Sequence, residues 1–230
     1  MDALAIASLA MQDDLQRVNS ISQNLANVST TGYKREIPVS GRFDQHLRQA
    51  GAPSLAHDHS SGTLRTSAST LDLAIDGPGY FEVQTEHGLA YTRAGSLHVD
   101  ARSRLVTAGG AVLNGVGGEL VVTNAPLSID PQGQVQQGER SVGQIKVVRF
   151  SNPDALVAIG NGLYGAGQAA IDQHQSGGQV RAGYLENANV SSAREMVHLS
   201  ETMRHFEAMQ KIIQGHDDAF DKAVRKLGDF

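Results

Sequence analysis

The feature that most constrains this chain is a run of apolar residues with seven-residue spacing near its end. Between residues 196 and 227 the gaps between successive apolar positions are three and four, or seven where a polar residue takes one place. A helix with this spacing carries one narrow apolar stripe, so the segment predicts a helix that packs against other helices. The stripe contains Met196, Leu199, Met203, Phe206, Ile213, Phe220, Val224 and Leu227.

A matching stripe opens the chain, at Leu4, Met11, Val18 and Leu25. It predicts an amphipathic helix over about residues 2–27, which ends in a polar cluster that favours turns. The C-terminal helix has its own start signal, a capping box with Ser192 as N-cap and Glu195 at the third helical position. Gly215 is a weak point inside that helix, costing about 1 kcal/mol relative to alanine.

The two narrow apolar stripes, one near each end of the chain, must pack against other apolar side chains. They can pack inside their own domain, which is the commonest use of an apolar helix face, or pair with neighbouring copies, or do both. We expect them to form the assembly interface, which therefore comprises Leu4, Met11, Val18, Leu25, Met196, Leu199, Met203, Phe206, Ile213 and Phe220.

The residues between the two helices predict an all-β domain. Apolar and polar residues alternate at 71–75, and short apolar runs then recur about every ten residues, separated by turn signals such as Asp76-Gly-Pro-Gly79. This pattern is typical of a sandwich or a barrel-like domain. Further strands are expected at 80–85, 89–93, 97–99, 105–107, 111–113, 120–123, 127–129 and 141–150.

Composition and motifs favour a structural role over a chemical one. The net charge of -5 gives no reason to expect nucleic-acid binding, and the chain has no Cys for disulfides or thiolate chemistry. Gly160-Asn-Gly162-Leu-Tyr-Gly165 matches a dinucleotide fingerprint but lacks the surrounding βαβ unit. His57 and His59 lack a third metal ligand at a characteristic spacing. We expect no catalytic residue, no cofactor and no metal.

The chain shows no targeting or spanning segment of a familiar kind. No run of about 18 apolar residues indicates a membrane span. The first residues do not resemble a cleavable signal peptide, because Asp2 stands where positive charge is expected.

Several segments resemble the signatures of bacterial flagellar rod and hook proteins. Asn24-Leu-Ala-Asn27-Val-Ser-Thr30-Thr-Gly32-Tyr33-Lys34 is similar to the family pattern N-L-A-N-x-x-T-x-G-[FY]-K. Tyr91-Thr-Arg93-Ala-Gly95 and Gly183-Tyr-Leu-Glu186-Asn-Ala-Asn189-Val190 follow in the family's order. The resemblance covers nearly the whole chain. Its motif residues are Asn24, Asn27, Thr30, Gly32, Tyr33, Lys34, Glu186, Asn189 and Val190.

The resemblance implies an α+β fold, in which the N- and C-terminal helices pair into a coiled-coil-like core domain and a central all-β domain lies outside it. The expected parts are an N-terminal helix with its motif loop at 1–39, an extended linker at 40–69, the all-β domain at 70–186 and the C-terminal helix at 187–230. We expect the motif loop to be a joint in which Gly32 adopts a backbone conformation that other residues resist.

The resemblance also implies a function. Such subunits leave the cytoplasm through the flagellar type III export apparatus without a cleavable signal, polymerise helically with copies of themselves and other rod and hook proteins, and form the periplasmic rod that transmits torque from motor to hook. No small-molecule substrate is implied. Phe206-Glu207 after Arg204, with the short length, looks closer to the proximal-rod type; a distal rod subunit is the alternative, and a secreted β-rich binding module is the more distant one.

One departure from the family pattern concerns a turn. Family members often have Asp-x-x-Gly after the Tyr-Thr-Arg strand, whereas this chain has Ser103 in place of the glycine. The resemblance therefore implies an altered turn at 100–103.

Overall fold

The structure is a computed structural model that describes residues 3–38, 55–123, 125–173 and 177–228. The chain forms two compact units. The helical unit comprises the described residues of Met1–Ala26, Glu36–Ala56 and Ser191–Phe230, and the β unit comprises those of Asn27–Arg35 and His57–Val190. The first part of the predicted linker, residues 40–54, lies outside the described residues.

The helical unit is built on the two terminal helices, α1 (Ala3–Ala26) and α2 (Ser192–Gly228). The two helices contact each other, and α1 also contacts the short strand β1 (Glu36–Pro38), which pairs with β2 (Leu55–His57). The first backbone bond of α2 runs from the Glu195 amide to the Ser191 carbonyl (2.9 Å). The N-cap is therefore Ser191, one residue before the predicted position.

The β unit contains only short strands, as the closely spaced turn signals predict. A nine-stranded sheet has the order β15-β16-β6-β5-β9-β8-β7, with β10 paired to β9 and β14 paired to β5; β11-β12-β13, β17-β4 and β18-β3 form smaller sheets. The strands are β3 (Leu64–Thr66), β4 (Leu73–Asp76), β5 (Tyr80–Thr85), β6 (Gly88–Thr92), β7 (Leu97–Val99), β8 (Leu105–Thr107), β9 (Val112–Gly115), β10 (Gly118–Glu119), β11 (Leu127–Ile129), β12 (Gln134–Gln137), β13 (Arg140–Gln144), β14 (Val147–Val148), β15 (Val157–Gly160), β16 (Leu163–Gly165), β17 (Gln179–Ala182) and β18 (Tyr184–Glu186).

Alternating side chains of these strands form the core of the β unit. Leu73 and Ile75 on β4, Phe81 and Val83 on β5 and Leu113 on β9 are buried in one apolar cluster. Burial of each such side chain contributes about 1.5–3 kcal/mol relative to leaving it exposed. A second, more aromatic cluster joins Tyr80, Tyr91, Phe150, Leu156, Tyr164 and Val148.

The architecture confirms the mixed class predicted from the sequence, with a helix near each end and a many-stranded region between them. Most predicted strands are present. Residues 120–123 form only an isolated bridge, between Val121 and Arg104, and strands β12, β15, β16, β17 and β18 were not predicted. None of the described helices is long and apolar enough to cross a membrane.

Candidate functional site

The two motif segments, which lie at opposite ends of the chain, come together in the β unit. The Gly32 amide donates to the Glu186 carbonyl (2.8 Å), and the Arg35 amide donates to the Asn189 side-chain oxygen (2.7 Å). Asn189 in turn donates to the Asp58 carbonyl (2.7 Å). One asparagine therefore satisfies backbone groups of two neighbouring segments, which explains an amide at this position.

A buried ion cluster lies at the centre of this junction, formed by Lys34, Arg93 and Glu186. One Glu186 carboxylate oxygen accepts from the Lys34 ammonium (2.8 Å), and the other accepts from the Arg93 guanidinium (3.0 Å). The three side chains are no more than 2% exposed. Lys34 also donates to the Ser60 carbonyl (2.6 Å), and the Gly62 amide donates to Glu186 (2.8 Å).

Two cations share one carboxylate in this cluster, so its electrostatics depend on Glu186. Burial lowers the pKa of the Lys34 ammonium, and the neighbouring Glu186 carboxylate opposes that shift. The Arg93 guanidinium also donates to the Ile75 and Gly77 carbonyls. Its Cζ atom lies over the Tyr80 ring, 5.5 Å from the ring centroid. Removal of the carboxylate would leave both cations buried without a counter-charge, at a cost of about 3–5 kcal/mol.

Gly32 has the unusual backbone conformation that the sequence predicts. Its φ is 69°, in the left-handed region, and a Cβ there would lie 2.4 Å from the Arg93 carbonyl carbon. The prediction is confirmed. The loop is also fixed from within, because the Thr30 amide and hydroxyl both donate to Asn27 (3.0 and 3.1 Å). The motif loop is thus tightly packed in the β unit.

The remaining motif residues are Tyr33 and Val190. Tyr33 accepts a backbone bond from Asn189 (3.4 Å), and Val190 is half-buried at the end of the same segment. Arg93 completes the site, and it was not among the predicted site residues. The signal for it was its place in the Tyr-Thr-Arg motif, because an arginine directly after the buried end of a strand needs an acidic partner.

A second polar contact lies in the helical unit, between α1 and α2. The Asp14 carboxylate is 2.6 Å from the His205 ring nitrogen Nδ1, and the Asn24 amide is 3.4 Å from the Glu195 carboxylate. Asn24 also pairs with both backbone groups of Glu36 on β1 (2.8 and 2.9 Å). This motif residue therefore joins α1, β1 and α2.

The predicted interface residues divide into two groups by exposure. Met11, Val18, Leu25, Leu199, Phe206 and Ile213 are half-buried. Leu4, Met196, Met203 and Phe220 are exposed, with exposed fractions of 41%, 61%, 46% and 64%. The side of α2 that is least exposed follows a seven-residue spacing at Glu195, Leu199, Thr202, Phe206, Met209 and Ile213. It therefore lies one position away from Met196 and Met203.

The two histidines considered as metal ligands lie instead in the aromatic cluster. The Tyr80 hydroxyl is 2.7 Å from the His59 Nδ1 atom, and both His57 and His59 make edge contacts with Tyr164. Burial, with a smaller contribution from His57, lowers the pKa of His59 to about 4. No group of three or more potential metal ligands occurs in the described part of the chain.

The charged groups of the junction are closed to solvent and bond to backbone segments, so their role at this site is structural. Three family descriptions match the chain: flagella basal body rod protein at residues 4–34, flagellar hook protein FlgE/F/G D1 domain at 74–137, and flagellar basal body rod FlgEFG protein C-terminal at 181–226. The chain belongs to the flagellar hook and basal-body rod protein family.

Similar proteins support the same family over the whole length. The flagellar basal-body rod protein FlgG of Bacillus subtilis is 31% identical, with 93% of this chain and 94% of that protein aligned. FlgG of Buchnera aphidicola subsp. Schizaphis graminum is 33% identical over 91% and 94%. The flagellar basal-body rod protein FlgF of Caulobacter vibrioides is 30% identical over 99% of both chains.

Proposed function

We propose that this chain is a proximal-type subunit of the flagellar basal-body rod, which polymerises helically with its own copies and with other rod and hook proteins to transmit torque. The observation that carries the proposal is the set of large apolar side chains that the helical unit leaves exposed. They are Leu4, Ile6 and Leu15 on α1, and Met196, Val197, Met203, Ile212, Phe220 and Val224 on α2.

Two of the exposed residues, Phe220 and Val224, continue the apolar stripe beyond the end of the helix pair. Asp14 faces His205 and Asn24 faces Glu195, so the two helices run antiparallel. In that register the first turn of α1 lies near residue 216, and the stripe beyond it contains Phe220 and Val224. Helices from neighbouring copies would cover these side chains in a coiled-coil-like arrangement, since their seven-residue spacing suits such packing.

The similarity to flagellar rod proteins supports a proposal about location and route. We infer that the subunit passes unfolded through the type III export apparatus and assembles in the periplasm. The lack of Cys suits a chain that crosses an oxidising compartment, because no mispaired disulfide can form. We infer no enzymatic activity, cofactor or nucleic-acid partner, since the proposed role requires only packing surfaces.

The proximal assignment rests on Arg204, Phe206 and Glu207 on α2 and on the short length of the chain. A distal rod subunit of the same family is the second candidate. Crosslinking from a single cysteine, placed at Met196 or at Phe220, would distinguish the two candidates, because the chain has no other thiol. Mass spectrometry of the crosslinked neighbours in isolated basal bodies would identify the proteins below and above this subunit. Contacts with hook-side proteins alone would support the distal alternative.

The assembly proposal predicts the effect of one charge on α2. Phe220→Asp should abolish hook formation and swimming while leaving the folded monomer unchanged, because Phe220 is exposed in the free chain and its burial in the rod would contribute about 1.5–3 kcal/mol per subunit. Ala219→Asp adds the same charge at an adjacent exposed position off the stripe and is the matched control. Hook counts on cells measure the outcome, and equal counts for the two variants would contradict the proposal.

A further inference from the structure

The segment between β2 and β3, residues 58–63, has no regular secondary structure and lies against the buried ion cluster. Its Ser60 carbonyl accepts from the Lys34 ammonium (2.6 Å), and its Gly62 amide donates to the Glu186 carboxylate (2.8 Å). Because the Lys34 and Glu186 side chains are no more than 1% exposed, these backbone groups form part of the cover that separates the cluster from solvent. We call residues 58–63 the strap.

The strap is held by hydrogen bonds and by one aromatic ring. None of its residues is fully buried, and three of its six residues are exposed. A segment with few buried apolar contacts opens at a lower free energy than the sheets beside it. His59 carries the only ring of the strap, and that ring contacts Tyr80 and Tyr164 edge-on, with centroid distances of 6.0 and 5.5 Å. His59 is therefore the side chain that packs the strap onto the aromatic cluster.

The imidazole of His59 is the member of its pair with Tyr80 that changes charge in mild acid. Burial raises the pKa of Tyr80 to about 12, so the hydroxyl stays neutral. Burial lowers the pKa of His59 to about 4, and the Nδ1 atom of the neutral imidazole is 2.7 Å from the hydroxyl. A hydroxyl can also accept from an imidazolium, so protonation does not have to break this hydrogen bond. The cost of protonation is therefore the burial of a new charge.

The charges around His59 make that cost larger. Among the described residues, the ionisable groups around the His59–Tyr80 contact are His57, Asp58, Lys34, Arg93, Asp154, Tyr164 and Glu186. The carboxylates of Asp58 and Asp154 favour the imidazolium, whereas Lys34 and a protonated His57 oppose it. The ion cluster already has two cations for one carboxylate, so an imidazolium adds to an excess of positive charge. Movement of the strap into water would relieve both the burial and the repulsion.

We propose that acid releases the strap: protonation of His59 frees residues 58–63 from the β unit and opens the Lys34–Glu186–Arg93 cluster to water, while the sheets stay folded. At neutral pH the strap is closed, and the cluster is covered. The free imidazole binds the proton more tightly than the packed one, so each step toward acid shifts the equilibrium toward the open strap. The proposal concerns the chain in solution and does not rest on the rod assignment.

Hydrogen exchange on the purified full chain tests the proposal, after correction for the intrinsic exchange rate at each pH. The strap amides should open at least about a hundredfold more often than those of β5 and β9, because the strap opens without the sheets. Between pH 7.5 and pH 5 the opening constant of the strap should rise by about tenfold to thirtyfold. His59→Phe cannot bind the proton and should limit the rise to about threefold or less. His87→Phe, at an exposed position, should keep the full rise.

A permanent charge tests whether release of the strap uncovers the ion cluster. The Lys34 side chain is 0% exposed, whereas that of Lys146 is 42% exposed, so an amine-reactive ester at pH 7.5 should label Lys146 much faster. His59→Arg places a cation in the strap at this pH and should raise the labelling rate of Lys34 by about tenfold or more. His87→Arg adds the same charge at an exposed turn and should leave that rate unchanged. Protection of the β5 and β9 amides checks that each variant is folded.

Two outcomes would overturn the proposal. One is equal protection of the strap and of β5 in the unchanged chain at pH 5, since the strap would then open only when the whole unit unfolds. The other is a His59→Phe variant that keeps the full rise between pH 7.5 and pH 5. Neither outcome bears on the rod assignment, which Phe220→Asp tests on cells, and a failure of that test would leave the exchange result as it stands.

Discussion

At the scale of single residues, one turn motif occurs twice in the β unit with different residues at its strained position. Asp100 accepts bonds from the amides of Arg102 and Arg104 (both 2.8 Å), and Asp130 accepts from those of Gln132 and Gln134 (3.0 and 2.8 Å). The fourth residue is left-handed in both turns. The turn at 100–103 therefore has the same pattern of bonds as the turn at 130–133, although serine stands in place of the glycine.

The duplicated turn predicts that Ser103→Gly stabilises the β unit by about 0.5 kcal/mol. Relief of the left-handed serine, at φ 62°, contributes about 1–2 kcal/mol, and the greater unfolded-state freedom of glycine offsets about 0.5–1 kcal/mol of it. Gly133→Ser makes the reverse change at φ 80° and should destabilise by about 0.5–1 kcal/mol. Urea unfolding followed by tyrosine fluorescence measures both, and effects of the same sign would contradict the argument.

The lowered pKa of His59 predicts that the β unit loses stability as the pH decreases. Its pKa is about 4 in the folded chain against 6.5 for the free side chain, mainly because of burial. Between these values the unfolded chain binds more protons, so the stability is complete above pH 6.5 and falls as the pH decreases toward 4. After allowance for partial solvent exposure, the loss is about 2 kcal/mol or less.

The measurement is the difference in unfolding free energy between pH 7.5 and pH 5, compared between the unchanged chain and His59→Phe. The variant keeps an aromatic ring but cannot bind the proton, so its loss over this range should be smaller. His87→Phe, on an exposed residue of the β5–β6 turn, is the control. Identical pH dependence in the unchanged chain and His59→Phe would show that the buried imidazole does not contribute.

At the scale of elements, α2 has a paired part and an unpaired part. Met209 and Ile213 are its last half-buried residues, and the described side chains that follow are exposed. A helical segment of about 12–15 residues without packing is marginally stable in water. Gly215, which the sequence marks as a weak point, lies where the pairing ends, although α2 continues through it.

We therefore expect trypsin to cut the free chain first at Lys222, Arg225 and Lys226, and only later at Arg194 and Arg204. All five side chains are exposed in the folded chain. A difference in cleavage rate between these sites therefore reports how readily the helix opens at each of them. Gly215→Ala should slow the early cuts by about threefold to fivefold, since it stabilises the helix by about 1 kcal/mol. Equal initial rates at Arg204 and Lys222, measured by mass spectrometry, would contradict the division of α2.

Local patterns account for what the sequence predicts about these elements. Seven-residue spacing and alternation are set by neighbours along the chain, so α1, α2 and most central strands follow from them. The face that α2 buries follows only in part: Leu199, Phe206 and Ile213 of the predicted stripe are half-buried, whereas Met196 and Met203 are exposed and Glu195 and Thr202 are buried. Strands β17 and β18 were missed for a similar reason, since they are defined by partners far away in the sequence, β4 and β3.

At the scale of the whole molecule, the chain passes repeatedly between the two units. The motif loop 27–35 belongs to the β unit although the segments on both sides of it belong to the helical unit. A sequence pattern places the loop next to α1 but contains no signal for the Lys34–Glu186 pair, whose members are 152 residues apart. The family motifs identify both residues without showing that they form one buried cluster.

The ion cluster predicts that one substitution loosens both motif segments. Glu186→Gln keeps the side-chain shape but leaves Lys34 and Arg93 buried without a counter-charge, so it should destabilise the β unit by about 3–5 kcal/mol. Asp76→Asn makes the same chemical change in the half-exposed pair with Arg181 and should cost less than about 1 kcal/mol. Because the Gly32 and Gly62 amides donate to Glu186, hydrogen exchange should rise together in 27–35, 60–63 and 183–190. Faster exchange confined to 183–190 would mean that the cluster does not join the two ends of the chain.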